Sequence, residues 1–145
     1  MSFAVDANIL LYASDTSSPF HEPARAFLHE RAAGAELFCL GWPTLMSYLR
    51  IATHPGIFAK PLTPATAAGN VESLLSLPNV RALGEGERFW ECYAEVTRGV
   101  VVRGNLTPDA HLVALLLEHG VRLLYSNDSD FKKFSAIDAR SPFDA

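Results

Sequence analysis

The chain has 145 residues, 49% of them hydrophobic, which suffices for one sizeable core over residues 1–145 and falls short of two ordinary domains. A net charge of −4 excludes attraction to nucleic acid by global charge, leaves local basic strips for that purpose, and suits a cation site better. Cys39 and Cys92 stand alone in apolar surroundings with no Cys-x-x-Cys, which excludes a disulfide framework or a thiolate metal site and points to a reduced cytosolic protein.

The amino terminus lacks the charged and long apolar regions of a signal peptide, and no apolar run is long enough to span a bilayer, so the expectation is a soluble, cytoplasmic protein with no membrane partner. Ser2–Val5 reads as a first strand and Ala7–Ala13 as a short helix, with Asp6 between them. A carboxylate has no packing reason to sit there, but it stands at the strand end where open α/β sheets place their ligands. Asn8 then begins the helix, its side chain turned back towards the same spot.

Pro19–Ala33 is an amphipathic second helix with Phe20, Ala24, Phe27, Leu28 and Arg31 at helical spacing, ended by Gly34. Leu37–Leu40 is a short buried strand, and Gly41-Trp42-Pro43 opens a third helix that runs to about Thr53, before His54-Pro55-Gly56. Thr63 and Pro64 supply the N-cap and first residue of Pro64–Leu77, and Val80–Leu83 is a third strand. Phe89, Trp90, Tyr93 and Val96 give the next helix, Glu87–Arg98, a greasy face suited to core or dimer surface.

Thr107-Pro108 opens the most hydrophobic helix, which carries Asp109 in its first turn and runs to about His119, with Gly120 as its stop. Val121–Tyr125 is a nearly continuous apolar strand, followed at once by Ser126-Asn127-Asp128-Ser129-Asp130. Asp130 is a candidate cap for a short helix Phe131–Phe134, and Ala136–Ala139 is a last edge strand. Strands alternating with helices at this spacing predict an α/β fold, a mostly parallel sheet with helices on both faces.

Asp6 follows one strand, Asp128 and Asp130 follow another, and Asp109 precedes the second, so all four face one end of the sheet. Carboxylates gathered in one place repel each other and raise one another's pKa unless a cation neutralises them. Oxygen-only ligands favour a hard ion, Mg²⁺ or Mn²⁺ in its place, which activates water for displacement at phosphorus. The competing structural roles are turn or cap for Asp6 and Asp128, and macrodipole stabilisation of a helix start for Asp109. His111 and His119 have no nucleophile at recognisable spacing and fall to core or surface, while Arg98, Arg103, Lys132 and Lys133 are candidates for a basic rim for the substrate, with a scattered solvated face as the competing reading.

Val5-Asp6-Ala7-Asn8-Ile9-Leu10-Leu11-Tyr12, Pro108-Asp109-Ala110-His111-Leu112 and Ser126-Asn127-Asp128-Ser129-Asp130-Phe131, in this order, resemble the PIN-domain ribonucleases, in particular the VapC toxins of VapBC toxin–antitoxin systems. The resemblance covers essentially the whole chain, including Leu49-Arg50-Ile51 and the closing Ser141-Pro142-Phe143. It implies an α/β/α sandwich, Mg²⁺-dependent cleavage of RNA phosphodiesters in tRNA or rRNA, a homodimer, and inhibition by a VapB-like antitoxin. It maps Asp6, Asp109 and Asp128 onto the acidic metal-site positions, with Asn8, Ser126 and Asp130 as supporting neighbours. Many PIN nucleases carry a Glu in the third helix, three residues before the position of Arg50, where this chain has Ser47. A hydroxyl positions a water but supplies no negative charge. Arg50 itself is a candidate for contact with an RNA phosphate or a site acid.

Two other functions compete. A phosphatase of the haloacid dehalogenase type uses an Asp after the first strand as nucleophile, but wants a second Asp two residues on, where this chain has Asn8. A non-catalytic PIN-like binding module, with Ser47 marking loss of the site, would show no Mg²⁺- or Mn²⁺-dependent stabilisation.

Overall fold

Alternation along the strands decides the layers. In the computed structural model, which describes residues 1–143, the strands are β1 (Ser2–Val5), β2 (Leu37–Gly41), β3 (Val80–Leu83), β4 (Leu123–Tyr125) and β5 (Asp138–Arg140). They form one parallel sheet in the order β3-β2-β1-β4-β5. Side chains at successive strand positions point to opposite faces. Phe3, Val5, Phe38 and Leu40 therefore enter one core, and Ala4, Cys39 and Leu124 enter the other.

Helices cover both faces, as a fully parallel sheet requires. The helices are α1 (Ala7–Ser14), α2 (His21–Ala32), α3 (Trp42–Ala52), α4 (Pro64–Leu75), α5 (Phe89–Val96) and α6 (Leu106–Glu118). Ile9, Leu10, Leu45, Tyr48, Ala67 and Val71 bring α1, α3 and α4 onto the first face. Cys92 and Val96 of α5, the Ala110–Leu116 stretch of α6, Phe131 and Phe134 close the second. Both cysteines are buried free thiols. Among the described residues no helix is long and apolar enough to cross a membrane.

The expected α/β/α sandwich is thus the fold, and its element boundaries differ where distant residues intervene. The α4 start is as expected, with the Thr63 hydroxyl accepting from the Thr66 amide. By contrast α5 begins at Phe89 and not Glu87, because the Glu118 carboxylate takes the amides of Gly86 (2.8 Å) and Arg88 (3.0 Å) and holds that stretch as a loop. The α6 helix begins at Leu106, so Thr107 does not cap it, and no side chain does. Val121 closes the preceding turn through a 2.9 Å bond from its amide to the Leu116 carbonyl, which leaves β4 shorter than Val121–Tyr125. The last strand shifts from Ala136–Ala139 to Asp138–Arg140, since Ile137 is buried in the core.

Candidate metal centre

The strand order places β2 and β3 on one side of β1 and β4 and β5 on the other, so the connection changes direction between β1 and β4. Beyond the carboxyl ends of those two strands lies the crevice in which open α/β sheets bind ligands. Asp6 and the Ser126–Asp130 segment are the residues that the chain puts there.

Asp6 continues the β1–β4 pairing, its amide donating to the Tyr125 carbonyl (3.0 Å). Its carboxylate is occupied at both oxygens: Oδ1 accepts from the Ala7 amide (2.7 Å), capping α1, and Oδ2 accepts from the Ser126 hydroxyl (2.9 Å). The Ser126 Oγ in turn accepts from the Asp128 amide (3.0 Å). Asp128 Oδ1 accepts from the Asp130 amide (2.9 Å) and caps the 3-10 helix Ser129–Lys133. The cap role that competes for Asp6 and Asp128 is therefore observed for both: Asp6 caps α1, with Asn8 inside the helix, and Asp128 caps the short helix in place of the candidate Asp130. In each case the residue nearest the strand end has the extended backbone a cap needs.

Asp109, in the first turn of α6, faces this array from across the crevice. Carboxylate oxygens of Asp109, Asp128 and Asp130 lie within 4.8 Å of one another. Asp6, Asp109 and Asp128 line a common pocket of about 290 Å³ with Asn8, Thr44, Ser47 and His111. Asp6 stands outside the tight triple but on the same pocket wall, and one lone pair on each of its oxygens is left after the bonds from Ala7 and Ser126. Asp130 is also tied to Lys133 Nζ at 3.0 Å.

The electrostatics follow from this crowding. Burial, joined by the charges of Asp128, Asp6 and Asp130 and opposed by Lys133, pushes the Asp109 carboxyl up to about 7. Burial also raises the Asp6 carboxyl; the bonds from Ser126 and Ala7 hold it down, and the charge of Asp128 adds to the rise. Asn8 Oδ1 is buried with no hydrogen-bond partner. Converging carboxylates that resist ionisation, beside an orphaned amide oxygen, form an all-oxygen donor set suited to a hard divalent cation.

Ser47 lines the pocket from α3, while Arg50 is exposed and is not among the lining residues. His111, assigned to core or surface from the sequence, instead sits on the pocket wall, with Nε2 2.6 Å from Glu85 Oε1 and Phe89 edge-on to its ring. Its bond holds the Glu85 carboxyl below the usual range. Thr44, a buried polar residue on the same wall, carries no sequence signal. The only signal for His111 is its position two residues after Asp109.

The model of the PIN domain family matches residues 3–137. Over 143 residues, 99% of either chain, the sequence is 44% identical to Ribonuclease VapC48 of Mycobacterium tuberculosis. The fold is similar to a chain in the crystal structure of VapBC2 from Rickettsia felis bound to a DNA fragment from their promoter, with a TM-score of 0.70 at 14% identity, covering 97% of this chain and 98% of that one. It is also similar to Mycobacterium tuberculosis VapC20, a sarcin–ricin loop cleaving toxin, with a TM-score of 0.67 at 17% identity over 93% of this chain and 98% of that one. The family match along nearly the whole chain and the full-length identity carry the conclusion that this chain belongs to the PIN-domain family and, within it, to the VapC ribonucleases.

Proposed function

We propose that this protein is the toxin of a VapBC-type pair, an endoribonuclease that cuts tRNA or rRNA in the cytoplasm with Mg²⁺ as its cation, Mn²⁺ substituting. The observation that carries the reading is the convergence of Asp109, Asp128 and Asp130 oxygens at the sheet's switch point. Asp6, Asp109 and Asp128 are the proposed principal ligands, with Asp130 as a further one. A divalent cation bound there lowers the pKa of water and offsets charge that develops on phosphoryl oxygens. Asp6 also acts in the catalytic centre by holding Ser126, and through it the Asp128 backbone, in place, and by adding charge to the pocket wall. Asn8 offers its unpaired amide oxygen, and Ser47 a hydroxyl where a carboxylate would add charge. Arg50, exposed on α3 beyond the pocket, is left for substrate.

The two competing functions lose support on this geometry. A nucleophilic Asp6 would need a carboxyl acid/base two residues on, and Asn8, which stands there, has no proton to give or take. A module without cation chemistry gains nothing from Asp6 and Asp109, two carboxyls whose ionisation the fold opposes, facing one pocket.

A free toxin requires restraint, and a VapB-like antitoxin is the proposed partner. A largely apolar groove of about 440 Å³ between α1, α2, α3 and α4, lined by Leu10, Leu28, Leu74 and Leu77, is suited to an amphipathic helix. An Arg from the same partner would pair with the acid cluster. The test of the activity is incubation of purified protein with total tRNA and rRNA in Mg²⁺, in Mn²⁺ and in EDTA. We expect cutting that EDTA abolishes and that Asp6→Ala reduces by about 10- to 100-fold. A folded protein that binds cation but cuts neither RNA class would refute the substrate, and one that binds no cation would refute the mechanism.

A further inference from the structure

We infer that a second, polar pocket on the other side of Asp128 seats a backbone phosphate of the RNA strand next to the cleaved bond, with Lys132 as the cation that holds it. The inference rests on the nuclease reading of the acid cluster.

The pocket has a volume of about 160 Å³ and lies between the segment that follows β4 and the end of β5, lined by Ser126, Asn127, Asp128, Ser129, Lys132 and Arg140 among others. Asp128 lines both this pocket and the acidic one, so the two adjoin at one side chain and a strand laid across the acids can run on into the second. No aromatic side chain lines it, which argues against a stacked base and for the charged backbone.

The short helix Ser129–Lys133 sorts its own charges. In a 3-10 helix residues three apart lie on one face. Asp130 and Lys133 share a face and pair at 3.0 Å, so the Lys133 charge is committed to the acid cluster. Ser129 and Lys132 share a different face and both line the second pocket. Lys132 has no acidic partner among the described residues, whereas the Arg140 guanidinium is clamped by Asp138 through bonds of 3.0 and 2.6 Å. Among the described residues Lys132 is thus the uncommitted cation of this wall. A chain of net charge −4 has no global field to draw RNA in, so affinity for the backbone beyond the metal centre falls to local cations, and Lys132 is the one beside Asp128.

The experiment measures binding of a short fluorescent single-stranded oligoribonucleotide in Mg²⁺ over a series of KCl concentrations, with Asp109→Asn in every protein so that the strand is not cut. Lys132→Gln is expected to weaken binding several-fold and to reduce the slope of log K against log salt by about 0.7, the loss of one phosphate contact on a single strand. Lys132→Arg should restore the slope, and melting temperature should not change in either variant. In the cleaving protein the Lys132→Gln defect should fall on KM more than on kcat. An unchanged slope in Lys132→Gln, or no RNA binding by the parent at the lowest salt, overturns the proposal. Cleavage with unchanged slope and KM would refute the pocket and leave the nuclease standing; slope loss without cleavage by the chain that keeps Asp109 would do the reverse.

Discussion

Asp109 is the residue where proton and cation compete. Its carboxyl has a folded-state value of about 7 against 3.8 for an unperturbed group, so folding favours the protonated form. The stability it contributes is complete below about pH 4 and is lost as pH rises through about 7. Without divalent cation, the melting temperature should therefore fall between about pH 4 and pH 8, and Asp109→Asn should flatten that fall. Because ligands must be deprotonated to bind, the Mg²⁺-induced rise in melting temperature should be larger at about pH 8 than at about pH 6. Equal shifts at the two pH values would sink this account. Ser47→Glu should tighten cation binding measured by calorimetry while lowering the metal-free melting temperature, since it adds a fourth carboxylate to a pocket already lined by three. At this scale much of the site is legible in the chain. Asp6, Asp109 and Asp128 are acids at strand and helix ends that no packing argument explains. His111 and Thr44 are not legible, because only the fold turns their helix faces to the pocket.

Elements were legible where their signals are local. The Thr63 cap is a side chain bonding its own helix, and both Thr63 and the helix start stand in sequence. The start of α5 depends on a Glu118 carboxylate supplied by another helix, which no window of residues around Glu87 contains. The seam between β2 and α6 is a similar case of tertiary fit. A Cβ on Gly41 would meet Leu115 Cδ2 at 2.9 Å and Leu112 Cδ1 at 3.3 Å, and both leucines are buried. Gly41→Ala is expected to cost about 1–3 kcal/mol by overpacking, read as a shift in denaturation midpoint at constant slope. Because α6 carries Asp109 three residues into the helix, that variant should also weaken Mg²⁺ binding. Full stability in Gly41→Ala would mean that the two leucines repack freely.

At the scale of the whole molecule, alternating strands and helices made the parallel sheet and the shared end of its acids readable. The strand order was not readable, because it depends on which edge β4 joins. Trp42 and Met46, one turn apart on α3, are 42% and 51% exposed, and Trp90 on α5 is 73% exposed. Such apolar exposure supports the proposed homodimer. Met46→Glu and Trp90→Glu, each examined by sedimentation, identify the face: the variant at the interface should sediment as a monomer, and a dimer retained by both would place the contact elsewhere.

The central position of β1 has a consequence in time. The first strand made pairs with β4, whose residues begin at Leu123, and Asp6 is joined through Ser126 to Asp128 near the far end of the chain. Contacts between residues so distant in sequence form late. On a ribosome, the amino-terminal strands and helices can collect around β2 and β3 while the cutting centre is still missing one of its walls. On the proposed reading of the acid cluster, the emerging polypeptide has no complete centre until Ser126–Asp130 has left the ribosome, so activity arrives in a single step rather than growing with length.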